Sequence, residues 1–493
     1  MLARKEQDDS YRHVLKYTGV FGGVQGLKMI VALVRNKLTA KLLGEAGMGL
    51  NKRLINVAEV LNAWTNFGIS FYAVRRISEL YEEGTEDDMS RFVSVIRTWS
   101  IWSALLGMFV CFFFASWLND YYFPAGQDHT LEIMLLSLFV GSMPVEAVEC
   151  ALLKGLRRLR TVAFIEMLGA LSTFLFTVPV YFLLGIRGVA VSLVLCGWAA
   201  ALIHLYFSVR VYPYQVRLFS YSAIREGWPL IRIGVPYVLA GVAGAMATGE
   251  VFKSLGDNAM VGLYSAGYGL MVTYAGMVFN ALENDFFPRL SSVNHDTARM
   301  NHAINQQIDV CVQLIAPVMI VFILAMPWLL RLLYSSAFLP ALPMAVCSAF
   351  YMFFRAVTTP IAYTSLAKGD SWIYLIMECI YDVVFVLLLS LGYARLGLAG
   401  AGLALSAVAL FDLLLIGSAY AWHYHFRLRW RTCRLILLHG LFLAVAVAAC
   451  YWLGGWQKFA VGIPCLLLSC WLTFRSLSAE LPIVQRLKKR LGL

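Results

Sequence analysis

The sequence predicts an all-α polytopic membrane protein of about fourteen transmembrane helices, built as two parallel six-helix repeats with two further helices at the C-terminal end. Three observations predict it. Sixty per cent of the 493 residues are hydrophobic and 14 % charged, more apolar surface than a soluble fold of this length could hide. Apolar runs of the roughly 20 residues that a bilayer core requires recur along the chain, separated by short loops. The stretch 231–291 is echoed about 212 residues earlier. The runs are continuous rather than alternating, which excludes a β-barrel.

In the first repeat, the runs fall near 17–34, 54–74, 95–118, 131–153, 161–184 and 188–209. Residues 1–16 are polar, without the apolar core of a cleaved signal peptide. The first run carries Gly22 and Gly26, a spacing that permits close helix contact. Lys28 and Arg35, seven residues apart, share one of its faces, about 10 Å apart along the axis. An outside loop with Lys37, Lys41, Lys52 and Arg53 is expected next. The second run places Glu59, Asn62 and Asn66 on one face, and a solvated loop is expected over 75–91. The third, rich in Trp102, Phe109, Phe112 to Phe114 and Trp117, reads as lipid-facing. The fourth holds Glu146 and Glu149, and the basic loop Lys154 to Arg160 after it is set to lie at lipid headgroups. The fifth and sixth turn at Gly185-Ile-Arg187-Gly188.

The second repeat has runs near 229–252, 258–286, 308–334, 340–366, 372–393 and 397–422. Lys253-Ser-Leu255-Gly256-Asp257 repeats Lys41-Leu-Leu43-Gly44-Glu45, and Arg289-Leu290-Ser291 repeats Arg76-Ile77-Ser78. Arg395-Leu-Gly397-Leu398-Ala399-Gly400 repeats the turn between the fifth and sixth runs, at an offset of about 209. Six helices per unit is even, so the copies should share one orientation about an axis along the membrane normal. Runs near 434–453 and 458–475 lie outside the repeat. The expected domains are 1–222, 223–426 and 427–493, the last carrying a basic tail.

With the N-terminus in the cytoplasm, 26 Lys and Arg fall on inside loops against 9 outside, a positive-inside bias that puts both termini in the cytoplasm. Basic residues scattered over one membrane face do not suit nucleic acid. The ten cysteines form no CxxC and lie mostly within apolar runs, so core packing is expected rather than disulfides or metal. His423 and His425, in a basic loop, read as solvated. GxxxxGK[ST], HExxH and a nucleophile elbow are absent, so neither direct ATP use nor catalysis is expected, and no cofactor.

A charge near the bilayer centre costs roughly 3 kcal/mol or more, so such groups line a cavity or pair. Lys28, Arg35 and Arg355 are candidates for an anionic substrate, since a guanidinium fork grips two phosphate oxygens at once. The bland alternatives are pairing of Lys28 and Arg35 with Glu59 or Glu146, or Arg35 snorkelling to the interface. The positions aligned with Lys28 and Arg35 in the second repeat are Ala240 and Ala247, so a cationic site would be asymmetric. Glu146/Glu149 and Glu378/Asp382 each put two carboxylates on one helical face, suited to a proton, Na+ or sugar hydroxyls, or to ion pairing with those cations. Together with Glu59 they are the ion-coupling or polar-cavity candidates. Glu283, Asp285 and Arg289 near a helix end read as a gate or as interface charges.

Two six-helix repeats, LG[ED] followed after three residues in the first and four in the second by GL, Val261-Gly-Leu-Tyr-Ser-Ala-Gly267, Asp285-Phe-Phe-Pro-Arg-Leu-Ser291 and Asn305-Gln306-Gln307 together resemble the multidrug/oligosaccharidyl-lipid/polysaccharide (MOP) exporters, within them the Wzx-type O-antigen and polysaccharide flippases. The resemblance spans nearly the whole chain and rests on the order of short motifs. It implies MATE-like lobes and transfer of a polyprenyl-pyrophosphate-linked oligosaccharide across a bacterial inner membrane by ion-coupled alternating access. The implied partners are that lipid-linked substrate, the phospholipid membrane and neighbouring polysaccharide polymerases or glycosyltransferases. A small-molecule antiporter of the same fold is the alternative. A membrane-embedded polymerase or ligase is disfavoured, because no sizeable outside loop is available for chemistry. One departure is the basic first outside loop.

Overall fold

A computed structural model of the chain describes residues 2–218, 221–274, 276, 286, 290–291, 293, 295–453 and 455–478. Among these residues all regular structure is helical, and the chain divides into two compact units, 1–249 with 257–259 and 250–256 with 260–493.

The first unit begins with α1 (Leu2–Thr65), a 64-residue helix broken at Gly44, where φ 65 and ψ −167 lie in a region that only glycine occupies readily. The loop expected over Lys37–Arg53 is therefore helical on both sides of that single break. Of its charges, Arg53 is satisfied inside the unit, while Lys41 and Lys52 stay exposed. Arg53 is 2 % exposed and its Nη1 donates to the Tyr122 carbonyl at 2.5 Å, with its guanidinium over the Phe123 ring. A second break, at Phe67 and Gly68 with positive φ, separates α1 from α2 (Ile69–Glu83). The solvated loop expected over 75–91 shrinks to Gly84 and Thr85. Thr85 starts α3 (Glu86–Phe113) with a capping box: its hydroxyl accepts from Asp88 N at 3.2 Å and donates to the Asp88 carboxylate at 2.7 Å, holding that carboxyl below its usual range. Of the acids in that expected loop, Glu86, Asp87 and Asp88 form the first turn of α3, where carboxylates complement the helix dipole, while Glu79, Glu82 and Glu83 belong to α2.

There follow α4 (Ala115–Tyr122), α5 (Thr130–Gly155), α6 (Leu159–Leu184), α7 (Gly188–Val209) and α8 (Tyr221–Ser254). Helix α5 packs against α3, α7 and α2, and α6 against α1 and α7. One core gathers Leu50, Leu54, Val57, Leu136, Val140 and Val189, and another Ile77, Val93, Ile96, Val148 and Leu152. Side chains on the other face of α3 and α4, Phe109, Phe113 and Trp117 among them, are exposed, as a lipid-facing surface requires.

The second unit contains α9 (Asn258–Tyr268, from Met260 onward), a π-helical turn at 269–274, α10 (Thr297–Leu333), α11 (Leu342–Cys347), α12 (Ala349–Lys368), α13 (Ser371–His423), α14 (Trp430–Trp452) and α15 (Gln457–Ser478). Its centre is α10, which buries Ile304, Ile308, Val312, Ile315, Met319 and Ile323 and packs against α12, α14 and α15. The two extra helices are thus part of this unit's core. Helix α13, 53 residues long, is broken at Gly397 with φ 60 and ψ −143.

By length and composition seven described helices can cross a membrane, or eight if the bent pair 336–347 and 349–368 is one span. Two of the seven, 160–209 and 372–423, are of double length, and each joins two runs of the sequence through a glycine. The count of fourteen also relied on weaker runs such as 54–74, which is broken at Phe67 and Gly68.

The backbone corrects the offset of the second echo. Gly185, with φ 55 and ψ −135, has nearly the conformation of Gly397, and their spacing is 397 − 185 = 212. Gly44 and Gly256, both at positive φ, are also 212 apart. The sequence match at 209 follows small residues, whereas the backbone follows the glycine that permits the break.

Candidate functional site

In the second unit, three helical faces converge on one cavity of about 200 Å³. Helix α12 contributes Arg355, Thr358, Thr359 and Tyr363, the spacing of one helical face. The first half of α13 contributes Tyr374, Met377, Glu378 and Tyr381, and its second half Asp412, Ile416 and Tyr420. The Gly397 break returns the second half of α13 alongside the first: Gly392 and Gly400 cross so closely that a Cβ on Gly392 would stand 2.5 Å from the Gly400 carbonyl oxygen. That crossing lets a single helix supply two walls.

The Arg355 guanidinium lies 3.5 Å from the Asp412 carboxylate, and Glu378 is within electrostatic reach of both. Asp412 is 4 % exposed, while Arg355 at 39 % opens onto the cavity. The Tyr351 and Tyr381 hydroxyls meet at 3.2 Å, and the Tyr268 ring lies against Tyr351. Phe286 packs on Tyr363 of the cavity wall. Asp382, one turn beyond Glu378, is buried, and its Oδ2 makes no hydrogen bond among the described residues.

In the first unit, Glu149 is held by Arg97 in a two-bond ion pair, Nε to Oε1 at 2.8 Å and Nη2 to Oε2 at 2.9 Å, with both side chains almost fully buried. Arg97 Nη1 also donates to the Pro213 carbonyl at 2.8 Å, and the guanidinium lies over the Tyr214 ring. Glu149 thus belongs to a clamp on the segment after α7. Glu146, one turn away, instead faces His204, with Oε1 3.8 Å from Nδ1. Arg35 donates to Asn36 at 3.3 Å and is an electrostatic neighbour of Lys52, which in turn neighbours Glu59. The Lys28 side chain and the gate candidates Glu283, Asp285 and Arg289 lie outside the described residues.

The sequence reading paired Glu378 with Asp382 on one helical face and singled out Arg355 apart from them; the fold brings Arg355 and Glu378 to one cavity and leaves Asp382 beyond its lining. It missed Asp412 as the partner of Arg355, Lys52 as the neighbour of Arg35, and Arg97 altogether. A charged residue within an apolar run was the available signal for Asp412 and Arg97.

The family model described as polysaccharide biosynthesis protein matches residues 38–343, well over half of the chain. The chain belongs to that family. Its fold is that of MOP-superfamily transporters. A lipid II flippase MurJ in an inward closed conformation aligns with TM-score 0.69 and 15 % identity over 93 % of this chain and 99 % of that one. An inward-facing multidrug resistance MATE transporter aligns with TM-score 0.65 and 14 % identity, over 80 % and 95 %. A MOP transporter from Pyrococcus furiosus, described as having a binding pocket of reverse polarity, aligns with TM-score 0.56 and 12 % identity, over 84 % and 94 %. At such identities these likenesses speak for the fold alone. No curated protein matches the sequence. Family and fold together make this a multi-pass membrane protein of polysaccharide biosynthesis.

Proposed function

We propose that the protein is a flippase that moves a polyprenyl-pyrophosphate-linked oligosaccharide, an O-antigen or other surface-polysaccharide repeat unit, across a bacterial inner membrane by ion-coupled alternating access. The lobes are 1–222 and 223–426, with 427–493 appended and both termini cytoplasmic. No bond is made or broken. The observation that carries the reading is a polar, charged cavity enclosed within an apolar helical unit, in a chain of the polysaccharide biosynthesis family. Charges are kept inside such a unit, against the cost of desolvation, where they meet a polar cargo.

Lys28 and Arg35 neutralise the phosphates, and Arg355 contributes to the headgroup site in the second unit. Glu378 serves that polar cavity. Asp382 and Glu146, with Glu59, are the ion-coupling carboxylates, and Glu149 acts structurally through Arg97. Glu283, Asp285 and Arg289 form the gate. Polysaccharide polymerases and glycosyltransferases would be its functional neighbours.

The test is a pair of assays on the same proteoliposomes: translocation of a fluorescent polyprenyl-pyrophosphate saccharide, and efflux of the organic cation tetraphenylphosphonium. The flippase reading expects the first and not the second. Efflux of the cation with no lipid translocation would move the protein to the small-molecule antiporter reading.

A further inference from the structure

The cavity of the second unit is poorly suited to phosphate. Two carboxyl groups, Asp412 and Glu378, face a single guanidinium, and Asp412 already engages it at 3.5 Å. A pyrophosphate placed there would meet like charge at close range in a low-dielectric interior, where repulsion is strong. A bare metal cation fits no better, because the Arg355 guanidinium already engages Asp412 and sets a positive charge within electrostatic reach of Glu378. What the cavity does offer is aromatic faces beside hydrogen-bonding groups of both kinds. Tyrosine rings at 363, 374, 381 and 420 surround it, and threonine hydroxyls at 358 and 359 lie on the same wall as Arg355.

That is the chemistry of a neutral polyol with one apolar face. A pyranose ring presents C–H bonds to an aromatic plane, while its equatorial hydroxyls donate to carboxylates and accept from a guanidinium or phenol. The cavity, about 200 Å³, is a space on the scale of a monosaccharide, not of a polymer repeat or a lipid chain. Its polar groups are also aimed in advance. Arg355 is held by Asp412, and Tyr381 by its hydroxyl contact with Tyr351 at 3.2 Å and by the parallel Phe385 ring. Pre-positioned groups of this kind lose little freedom on binding, which favours selectivity over flexibility.

We propose that this cavity is a sugar subsite, which grips one pyranose ring of the lipid-linked saccharide through Glu378, Asp412, Arg355 and the tyrosine faces, and leaves the pyrophosphate to the cations of α1. This rests on the flippase reading and deepens it: it names the part of the headgroup that the cavity of the second unit receives.

The experiment is equilibrium binding to the purified full-length protein in lipid nanodiscs. The probes are undecaprenyl pyrophosphate without sugar and the same lipid carrying glucose, galactose or N-acetylglucosamine, together with tetraphenylphosphonium. Wild type should bind at least one glycosylated probe about tenfold or more tightly than the bare lipid. Glu378→Gln and Tyr381→Phe should abolish that preference and leave bare-lipid binding unchanged, the unchanged binding also reporting an intact fold. If the bare lipid binds and no sugar improves it, or if the variants weaken bare and glycosylated lipid equally, the sugar subsite is overturned while the lipid-linked substrate stands. If neither lipid binds and tetraphenylphosphonium does, the flippase reading falls and the sugar subsite falls with it.

Discussion

Arg97 and Glu149 bury a full charge each in the first unit, and the pair makes sense only as a unit: two parallel hydrogen bonds to each other, then a bond from Arg97 to a backbone carbonyl. Removing one partner strands the other. Arg97→Met or Glu149→Gln alone should therefore destabilise the protein by about 3–5 kcal/mol, whereas the double replacement Arg97→Met with Glu149→Leu should recover much of the loss. Thermal unfolding of the three variants in detergent checks this; a double variant no better than the singles would contradict it. The pair also shows where residue-level reading stops. Glu149 was visible as a charge in an apolar run. Arg97 was visible in the same way, but the pairing was not, because 52 residues and the packing of α3 on α5 separate the two, and neither leaves a local spacing signal. The same holds for Arg355 and Asp412, on α12 and the second half of α13. Arg355 is predicted to matter through that pairing: Arg355→Gln should leave Asp412 uncompensated, impairing saccharide translocation more than Arg355→Lys does. Equal transport rates for the two variants would count against the pairing.

At the scale of elements, glycines decide where the long helices break. Gly44 and Gly397 hold conformations that cost other residues about 1–3 kcal/mol. The break at Gly397 folds α13 back on itself, and the close crossing of Gly392 and Gly400 sets the spacing of two cavity walls. Gly392→Val should thus impair transport and binding even though the residue lines no cavity, while Gly417→Ala, which meets nothing within 4 Å, should be silent. Parallel transport assays on the two variants decide it, and equal behaviour would contradict this role of the crossing. These motifs were legible as recurring LG and GL strings. Their consequence was half legible: the strings mark where helices break within each half, yet they read as loops, because a sequence shows glycine and charge but not that one positive φ can turn a chain between two helices with no loop at all. The charged stretch 75–91 misled in the same way, since helix-initiating carboxylates and solvated-loop carboxylates are the same residues.

At the scale of the whole molecule, the helical membrane class and its repeat could be read directly, because hydrophobic content and run length follow from the bilayer itself. The constant spacing of 212 between glycines of matched or like-signed φ ties the two halves together more firmly than the short sequence strings do. Site composition diverges where the scaffold does not: the first half keeps Arg35 and Lys52 on α1, and the second has a tyrosine-lined cavity with an acid excess. Under the proposed flippase function the cargo is a polar headgroup with an anionic end and a neutral end. The central claim is that the protein translocates such a headgroup and that the cations of α1 carry its phosphates. The most direct measurement is the rate at which a fluorescent polyprenyl-pyrophosphate saccharide becomes accessible to a membrane-impermeant quencher in proteoliposomes, for wild type and for Lys28→Ala combined with Arg35→Ala. The account predicts rapid exchange for wild type and a loss of at least about tenfold in the variant at unchanged thermal stability; an undiminished rate in the variant would contradict it.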